Sequence, residues 1–135
     1  MKSKGIAAWA ALLLGSVGGH RFYLYGWNDQ WALLHPLPTL MALIGLRQVE
    51  TLGTDAPALT WALPLFGLMV AMGCMNAIVI GLTSDEKWNA RFNGGAEHDS
   101  RWAPVLAAVF ALMLGGGALM ASIAFTAQRY FELTQ

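Results

Sequence analysis

Charge is scarce in this chain of 135 residues, of which 12% are charged and 56% are hydrophobic. Soluble globular domains carry about 25% charged residues, so the composition is atypical of that class. The formal net charge is zero, which leaves no basic field to attract nucleic acid. Cysteine occurs once, at Cys74, which excludes an intrachain disulfide.

Motifs that carry catalysis are also lacking. The sequence contains no GxSxG nucleophile elbow, no HExxH zinc motif and no glycine loop for phosphates or dinucleotides. Paired carboxylates that would face one pocket are missing as well. We therefore expect a non-enzymatic protein with no catalytic residues, no cofactor and no metal.

Four stretches of the chain carry no Asp, Glu, Lys or Arg: residues 5–19, 30–46, 56–83 and 102–128. About 18 apolar residues are enough for a membrane-spanning helix, and the last two stretches exceed that length. The first two reach it if the helices continue to Leu24 and Leu52. The pattern predicts an all-α integral membrane protein, a four-helix bundle of four transmembrane helices at residues 5–24, 31–52, 58–82 and 102–126.

The polar loop at residues 83–101 separates the third and fourth predicted helices. Thr83 followed by Glu86 is a capping-box pattern, and Trp88 and Phe92 fall on one helical face. This favours a short interfacial helix with Trp88 and Phe92 as interface anchors, although a plain surface loop fits equally well. The chain is thus divided into a helical hairpin at residues 1–53 and a second transmembrane hairpin at residues 54–135.

The first apolar stretch ends in the run GGHRFYL, residues 18–24. Its aromatic rings suit the headgroup region and Arg21 can reach water, which makes Arg21, Phe22 and Tyr23 interface anchors. Together with the lysines of KSK at residues 2–4, this run resembles the TM2-domain family over residues 2–53. The resemblance implies a hairpin of two membrane helices, but the family has no settled activity. Tyr25 departs from the pattern, because the family has Tyr-Leu-Gly where this chain has Tyr-Leu-Tyr-Gly.

Small residues recur every four positions along three of the predicted helices. Such ladders allow helix backbones to approach closely in lipid. They indicate either internal packing or docking against another subunit, most plausibly through the fourth helix. The ladders are Ala7, Ala11, Gly15 and Gly19 on the first helix, Gly73, Ala77 and Gly81 on the third, and Ala103, Ala107, Ala111 and Gly115 on the fourth.

Two groups of side chains are candidate ligands. His20 and His35 are nearly equidistant in sequence from the first turn, so an antiparallel hairpin would place them at one depth. Two imidazoles there would bind a metal or haem iron or share a proton, whereas the alternative is interfacial hydrogen bonding. The second group consists of Met69, Met72, Cys74 and Met75. Their sulfur atoms are ligands that Cu(I) prefers, and the alternative is that these side chains fill gaps between helices.

Arg47 and Glu50 lie one helical turn apart near the predicted end of the second helix. Charges within a membrane are costly, so we interpret them as an intramembrane polar pair, with a proton or ion path as the alternative.

These observations favour an accessory or scaffold subunit in the lipid bilayer, at the inner (plasma) membrane of a bacterium. Its expected partner is another membrane protein or a second copy of the chain, and not nucleic acid. The alternatives are a haem- or metal-binding membrane protein and a small transporter or ion-conducting oligomer.

Overall fold

The computed structural model describes residues 1–135, and the fold is all-α, as the sequence predicts. Two short 3₁₀ turns, Gly15–Val17 and Gly53–Asp55, interrupt the helices. The α-helices are α1 (Lys4–Leu14), α2 (Gly19–Tyr25), α3 (Gln30–Leu34), α4 (Pro36–Arg47), α5 (Val49–Leu52), α6 (Leu59–Leu82), α7 (Asp85–Phe92) and α8 (Ala103–Thr134).

The two long helices, α6 and α8, pack against each other and form the backbone of the fold. With 24 and 32 residues, they are the two helices long and apolar enough to cross a membrane. In their most apolar windows only 39% and 28% of the residues are buried, so most apolar side chains face outwards. They correspond to the third and fourth predicted helices.

The prediction of four transmembrane helices is wrong, because the first two predicted helices are broken. The chain leaves α1 at Leu14 and reverses at Gly18, whose φ of 76° is left-handed. Helix α2 then returns along α1, so that the hydroxyl of Tyr23 accepts a hydrogen bond from the Ser3 N–H at 2.9 Å. At 11 residues, α1 is about 16 Å long, roughly half of a ~30 Å hydrocarbon core.

The second predicted helix, at residues 31–52, is divided into α3, α4 and α5. Pro36 begins α4 and lacks the N–H that a continuous helix would require at that point. Gly53, with φ of 66°, caps the end of α5, and the 3₁₀ turn Gly53–Asp55 follows. The four-helix bundle is therefore replaced by a pair of long helices, with α1 and α4 of the broken N-terminal half packed against α6.

Small residues occupy the contacts between these helices. A Cβ added to Gly73 of α6 would lie 2.9 Å from the Gly15 Cα, and one added to Gly115 of α8 would lie 2.6 Å from the Cys74 Cβ. Backbones in such proximity leave no room for larger side chains. The fully buried alanines of the hydrophobic core cluster are Ala7, Ala8, Ala11, Ala77, Ala107 and Ala111.

Candidate functional site

A buried lysine connects the start of α1 to the start of α7. Lys4 Nζ donates to the Thr83 carbonyl at 2.7 Å and lies 2.5 Å from Asp85 Oδ1. Only 8% of the Lys4 side chain is exposed, against 37% for Asp85. The hydrogen bond from Lys4 lowers the pKa of Asp85 below its ordinary value. Lys4 thus fixes the N-terminus to the loop at the end of α6.

Helix α7 corresponds to the short helix predicted in the polar loop, but its cap and its aromatic face differ from expectation. Ser84, rather than Thr83, is the N-cap, with its hydroxyl accepting from the Lys87 N–H at 3.4 Å. Trp88 is only 3% exposed; it donates to the Lys2 carbonyl at 2.9 Å and stacks on Phe92 at 4.4 Å. The predicted anchor Trp88 therefore lies inside the protein, holding α7 to the N-terminus.

An ion pair near the start of α2 connects this helix to the turn that follows it. Arg21 Nε lies 2.8 Å from Asp29 Oδ2, and Asp29 also caps α3 by accepting from the Trp31 N–H at 3.2 Å. The hydrogen bond from Arg21 lowers the pKa of Asp29. Phe22 stacks on Trp27 with 5.1 Å between ring centroids. The predicted anchors Arg21, Phe22 and Tyr23 are each half-buried.

The structure brings the two candidate histidines together. The rings of His20 and His35 meet edge to face, 6.1 Å apart. Nδ1 of His20 and Nε2 of His35 are both buried without a hydrogen-bond partner. His20 lies outside both long helices. Burial lowers its pKa to about 4, and the charges of the neighbouring His35 and Arg21 contribute to this shift. No His, Cys, Asp or Glu joins them to form a group of three metal ligands.

A cleft of about 300 Å³ opens beside His20, between α2, the end of α6 and α7. Three cations line it: Arg21, Lys87 and Arg91. Arg91 reaches across to α2, where its Nη2 donates to the Tyr25 hydroxyl at 3.2 Å. The sequence indicates each cation singly but not their convergence, because they come from segments more than sixty residues apart.

The remaining candidate residues are dispersed. Met69 and Cys74 are buried, whereas Met72 and Met75 are 40% and 65% exposed, so the four sulfur atoms face different surroundings. Packing accounts for the two buried members, Met69 and Cys74, and the alternative of a soft-metal site stays a prediction.

The polar pair predicted near the end of the second helix is not formed. Arg47 and Glu50 are both exposed and make no ion pair with each other. Arg47 is the last residue of α4, and Glu50 lies in α5, on the other side of the break between these helices.

The small-residue ladders lie mainly inside the protein, where Gly81 also approaches the Pro104 carbonyl of α8. Gly19 packs against Leu14 of its own hairpin, and Ala103 is exposed at the start of α8. On α8 the two glycines after Gly115 are different: Gly116 and Gly117 are exposed, with open space above them.

Comparisons with family models, curated proteins and solved structures returned no match to this chain. The resemblance of residues 2–53 to the TM2-domain family therefore stays a prediction. The features of the structure that bear on function are the long apolar helices, the N-terminal hairpin and the cationic cleft.

Proposed function

We propose that the chain is a non-enzymatic integral membrane protein, an accessory or scaffold subunit of a bacterial inner membrane. Helices α6 and α8 cross the bilayer, the hairpin of α1 and α2 enters it from one side, and the outward face of α8 packs against a second membrane helix. That helix belongs to another membrane protein or to a second copy of the chain.

The outward apolar face of α8 is the observation that carries the membrane location. A soluble protein rarely exposes a continuous apolar patch of this kind, and a long apolar helix in a soluble core is mostly buried. On α8, nine large apolar or aromatic side chains are more than half exposed: Val109, Leu112, Met113, Leu114, Met120, Ile123, Tyr130, Phe131 and Leu133.

The polar contacts of the N-terminal hairpin support its partial insertion. Within a bilayer, backbone groups at a broken helix end need partners supplied by the protein. Thr39, only 2% exposed, donates its hydroxyl hydrogen to the Ser16 carbonyl at the tip of the hairpin. At the other end of the hairpin, Lys2 Nζ donates to the Leu24 carbonyl. At each end of the hairpin, one backbone carbonyl thus has a partner supplied by the protein and not by water.

The glycines on the outer face of α8 support a helical partner. Glycine in a helix interior costs about 1 kcal/mol relative to alanine, so three successive glycines weaken α8 unless close packing offsets the cost. Contact with Cys74 accounts for Gly115, whereas a Cβ added to Gly116 or Gly117 would meet nothing within 4 Å. A partner helix crossing at these two positions would account for them.

Alkaline carbonate extraction of membranes containing the full chain tests the location. We expect the chain to stay in the membrane fraction. Native mass spectrometry after mild detergent extraction then tests the partner, and we expect an assembly heavier than the 14.6 kDa chain.

Two substitutions at one position provide the matched comparison. Gly117→Leu fills the open face and is expected to weaken the assembly at least tenfold, while Gly117→Ala preserves it. Both replace glycine by a better helix former, so neither should lower the thermal stability of the chain. Release by carbonate refutes the membrane location; a monomer, or an assembly indifferent to Gly117→Leu, refutes the accessory role.

A further inference from the structure

The cleft between α2, the end of α6 and α7 has a positively charged wall and no negative one. Arg21, Lys87 and Arg91 line it, and no Asp or Glu does. Asp29 neutralises Arg21, whereas Lys87 and Arg91 form no ion pair. Two cations therefore face the cleft without a compensating charge.

Tyr25 fixes the positions of the two guanidinium groups. The Arg21 guanidinium lies over the Tyr25 ring, 5.0 Å from its centroid, and Arg91 donates to the Tyr25 hydroxyl. Arg91 also lies 5.3 Å from the centroid of the Phe92 ring. Because the groups are held in place before a ligand arrives, less side-chain entropy is lost when it binds.

A histidine with an unsatisfied ring nitrogen is among the residues that line the cleft. His20 lines it, is only 4% exposed, and its Nδ1 has no hydrogen-bond partner. Buried polar atoms in native proteins are nearly always hydrogen-bonded, so this nitrogen requires a partner that the chain does not supply. A neutral imidazole with its proton on Nδ1 donates a hydrogen bond, and an anionic oxygen in the cleft would accept it.

Besides the cations and His20, the lining of the cleft includes the polar side chains Asn76 and Thr83, and apolar side chains that continue along α6. Leu24 and Ile80 are buried in its lining, and Val79 is 61% exposed at its edge. One turn earlier on α6, Met75 is 65% exposed and extends this outward face away from the cations. A ligand that fits has an anionic head and an apolar chain.

From these contacts we infer that the cleft binds the phosphate of an anionic phospholipid headgroup. Lys87, Arg91 and Arg21 contact the phosphate oxygens, and His20 donates to one of them. The acyl chain lies along Val79 and Met75. Basic pockets between membrane helices are suited to such headgroups. The inference rests on the membrane location proposed above and adds the ligand class.

Native mass spectrometry of the full chain in mixed micelles tests this site, with phosphatidylglycerol and phosphatidylcholine added at equal concentration. We expect phosphatidylglycerol to be retained preferentially. Lys87→Gln and Arg91→Gln should each lower that preference about fivefold, the effect of one cation near an anionic lipid. Lys87 is exposed and its side chain makes no hydrogen bond or ion pair, so its loss does not threaten the fold.

Arg101→Asn is the matched control, because it removes an exposed cation of the same loop outside the cleft. Its φ of 50° also suits asparagine. Equal retention of the two lipids, or an equal loss in Arg101→Asn, overturns the inference. Displacement of phosphatidylglycerol by millimolar inorganic phosphate also overturns it, because the site would then serve soluble phosphate. Equal lipid retention by a carbonate-resistant chain refutes the site alone, whereas release by carbonate refutes the membrane location first.

Discussion

The pair α6–α8 and the N-terminal half of the chain respond differently to the same helix-weakening residues. Helix α8 continues through three successive glycines, and α6 continues past Pro64. In the N-terminal half, Gly15–Val17 ends α1 and Pro36 separates α3 from α4, so no helix exceeds 12 residues. Glycine and proline therefore do not decide alone where a helix ends.

The difference lies in what the chain contacts after the weak residue. At Gly18 the reversal is stabilised from outside the hairpin, because α3 and α4 pack closely around it; a Cβ there would lie 2.7 Å from the His35 Cβ. Around Gly115, by contrast, α8 continues as a helix against Cys74 of α6. The N-terminal half is held by polar contacts and close backbones, and the long pair by apolar packing together with its own close approach of Gly81 to the Pro104 carbonyl. The predictions below test this contrast.

Gly73→Ala should cause the largest loss of stability, because the added methyl group pushes the N-terminal half away from α6 where their backbones are in close contact. The new Cβ would lie 2.9 Å from the Gly15 Cα, where only backbone can move aside. We expect a loss of about 3 kcal/mol in the free energy of unfolding, at the upper end for overpacking. Titration with a denaturing detergent, followed by circular dichroism, measures it.

Gly116→Ala is the matched control within the long pair. Its Cβ meets nothing, so helix propensity alone should stabilise α8 by about 1 kcal/mol. A loss of stability comparable to that of Gly73→Ala would show that the contact between Gly15 and Gly73 is not special.

Lys4→Met should have the next largest effect. It keeps the apolar stem but removes the donor to the Thr83 carbonyl and the cation paired with Asp85, whose carboxylate then keeps the hydrogen bond from the Ser100 N–H. Because Asp85 is 37% exposed and remains partly solvated, we expect a loss of about 2 kcal/mol, below that for a fully buried pair. Glu50→Gln, at an exposed carboxylate without an ion pair, should change stability by under about 0.5 kcal/mol. Equal effects of the two substitutions would contradict the structural role of Lys4.

The same substitution should change the acid dependence of stability. Lys4 holds the pKa of Asp85 below its ordinary value of 3.8, so Asp85 stabilises the fold above that pH. This contribution is lost as the pH falls through the lower, folded-state pKa. Thermal unfolding between about pH 5 and pH 2 should therefore show a shallower decline for Lys4→Met than for the original chain. Parallel curves of unfolding temperature against pH for the two chains would show that Asp85 is not the source of the acid dependence.

Thr39→Val should have the smallest effect of the series. It removes the hydroxyl that donates to the Ser16 carbonyl and preserves side-chain volume. We expect a loss of about 1 kcal/mol, the cost of one unsatisfied buried acceptor. Hydrogen exchange of α1 and α2 should accelerate while that of α8 does not. Equal acceleration in both regions would show that the hairpin does not open separately.

Much of the long pair could be predicted from the sequence. The predicted third helix, at residues 58–82, agrees with α6 within one residue, because its boundaries coincide with breaks in the apolar run. The fourth was predicted to end at Thr126, eight residues too early. Arg129 ends the apolar run but pairs with Glu132 at 3.2 Å, and this polar turn continues the helix. Polarity marks the end of an apolar stretch, not of a helix.

The candidate site was predicted only in pieces. The sequence indicated that His20 and His35 share a depth, because their spacing about a turn is local information. It interpreted Trp88 as a membrane anchor, although its indole donates to the Lys2 carbonyl, 86 residues away. The convergence of Arg21 and Arg91 at Tyr25 depends on a similar long-range contact.

The sequence by itself determined that this protein is all-α and that its third and fourth apolar stretches form helices apolar enough to cross a membrane, since both properties follow from local composition over a long run. Only the tertiary structure decided that the first apolar stretch reverses at Gly18, that Lys4 is buried, and that three cations share one cleft. Each of these depends on contacts between segments distant in the chain. Where glycine and proline weaken the local preference for a helix, the free energy of these long-range contacts exceeds that preference and decides the backbone path.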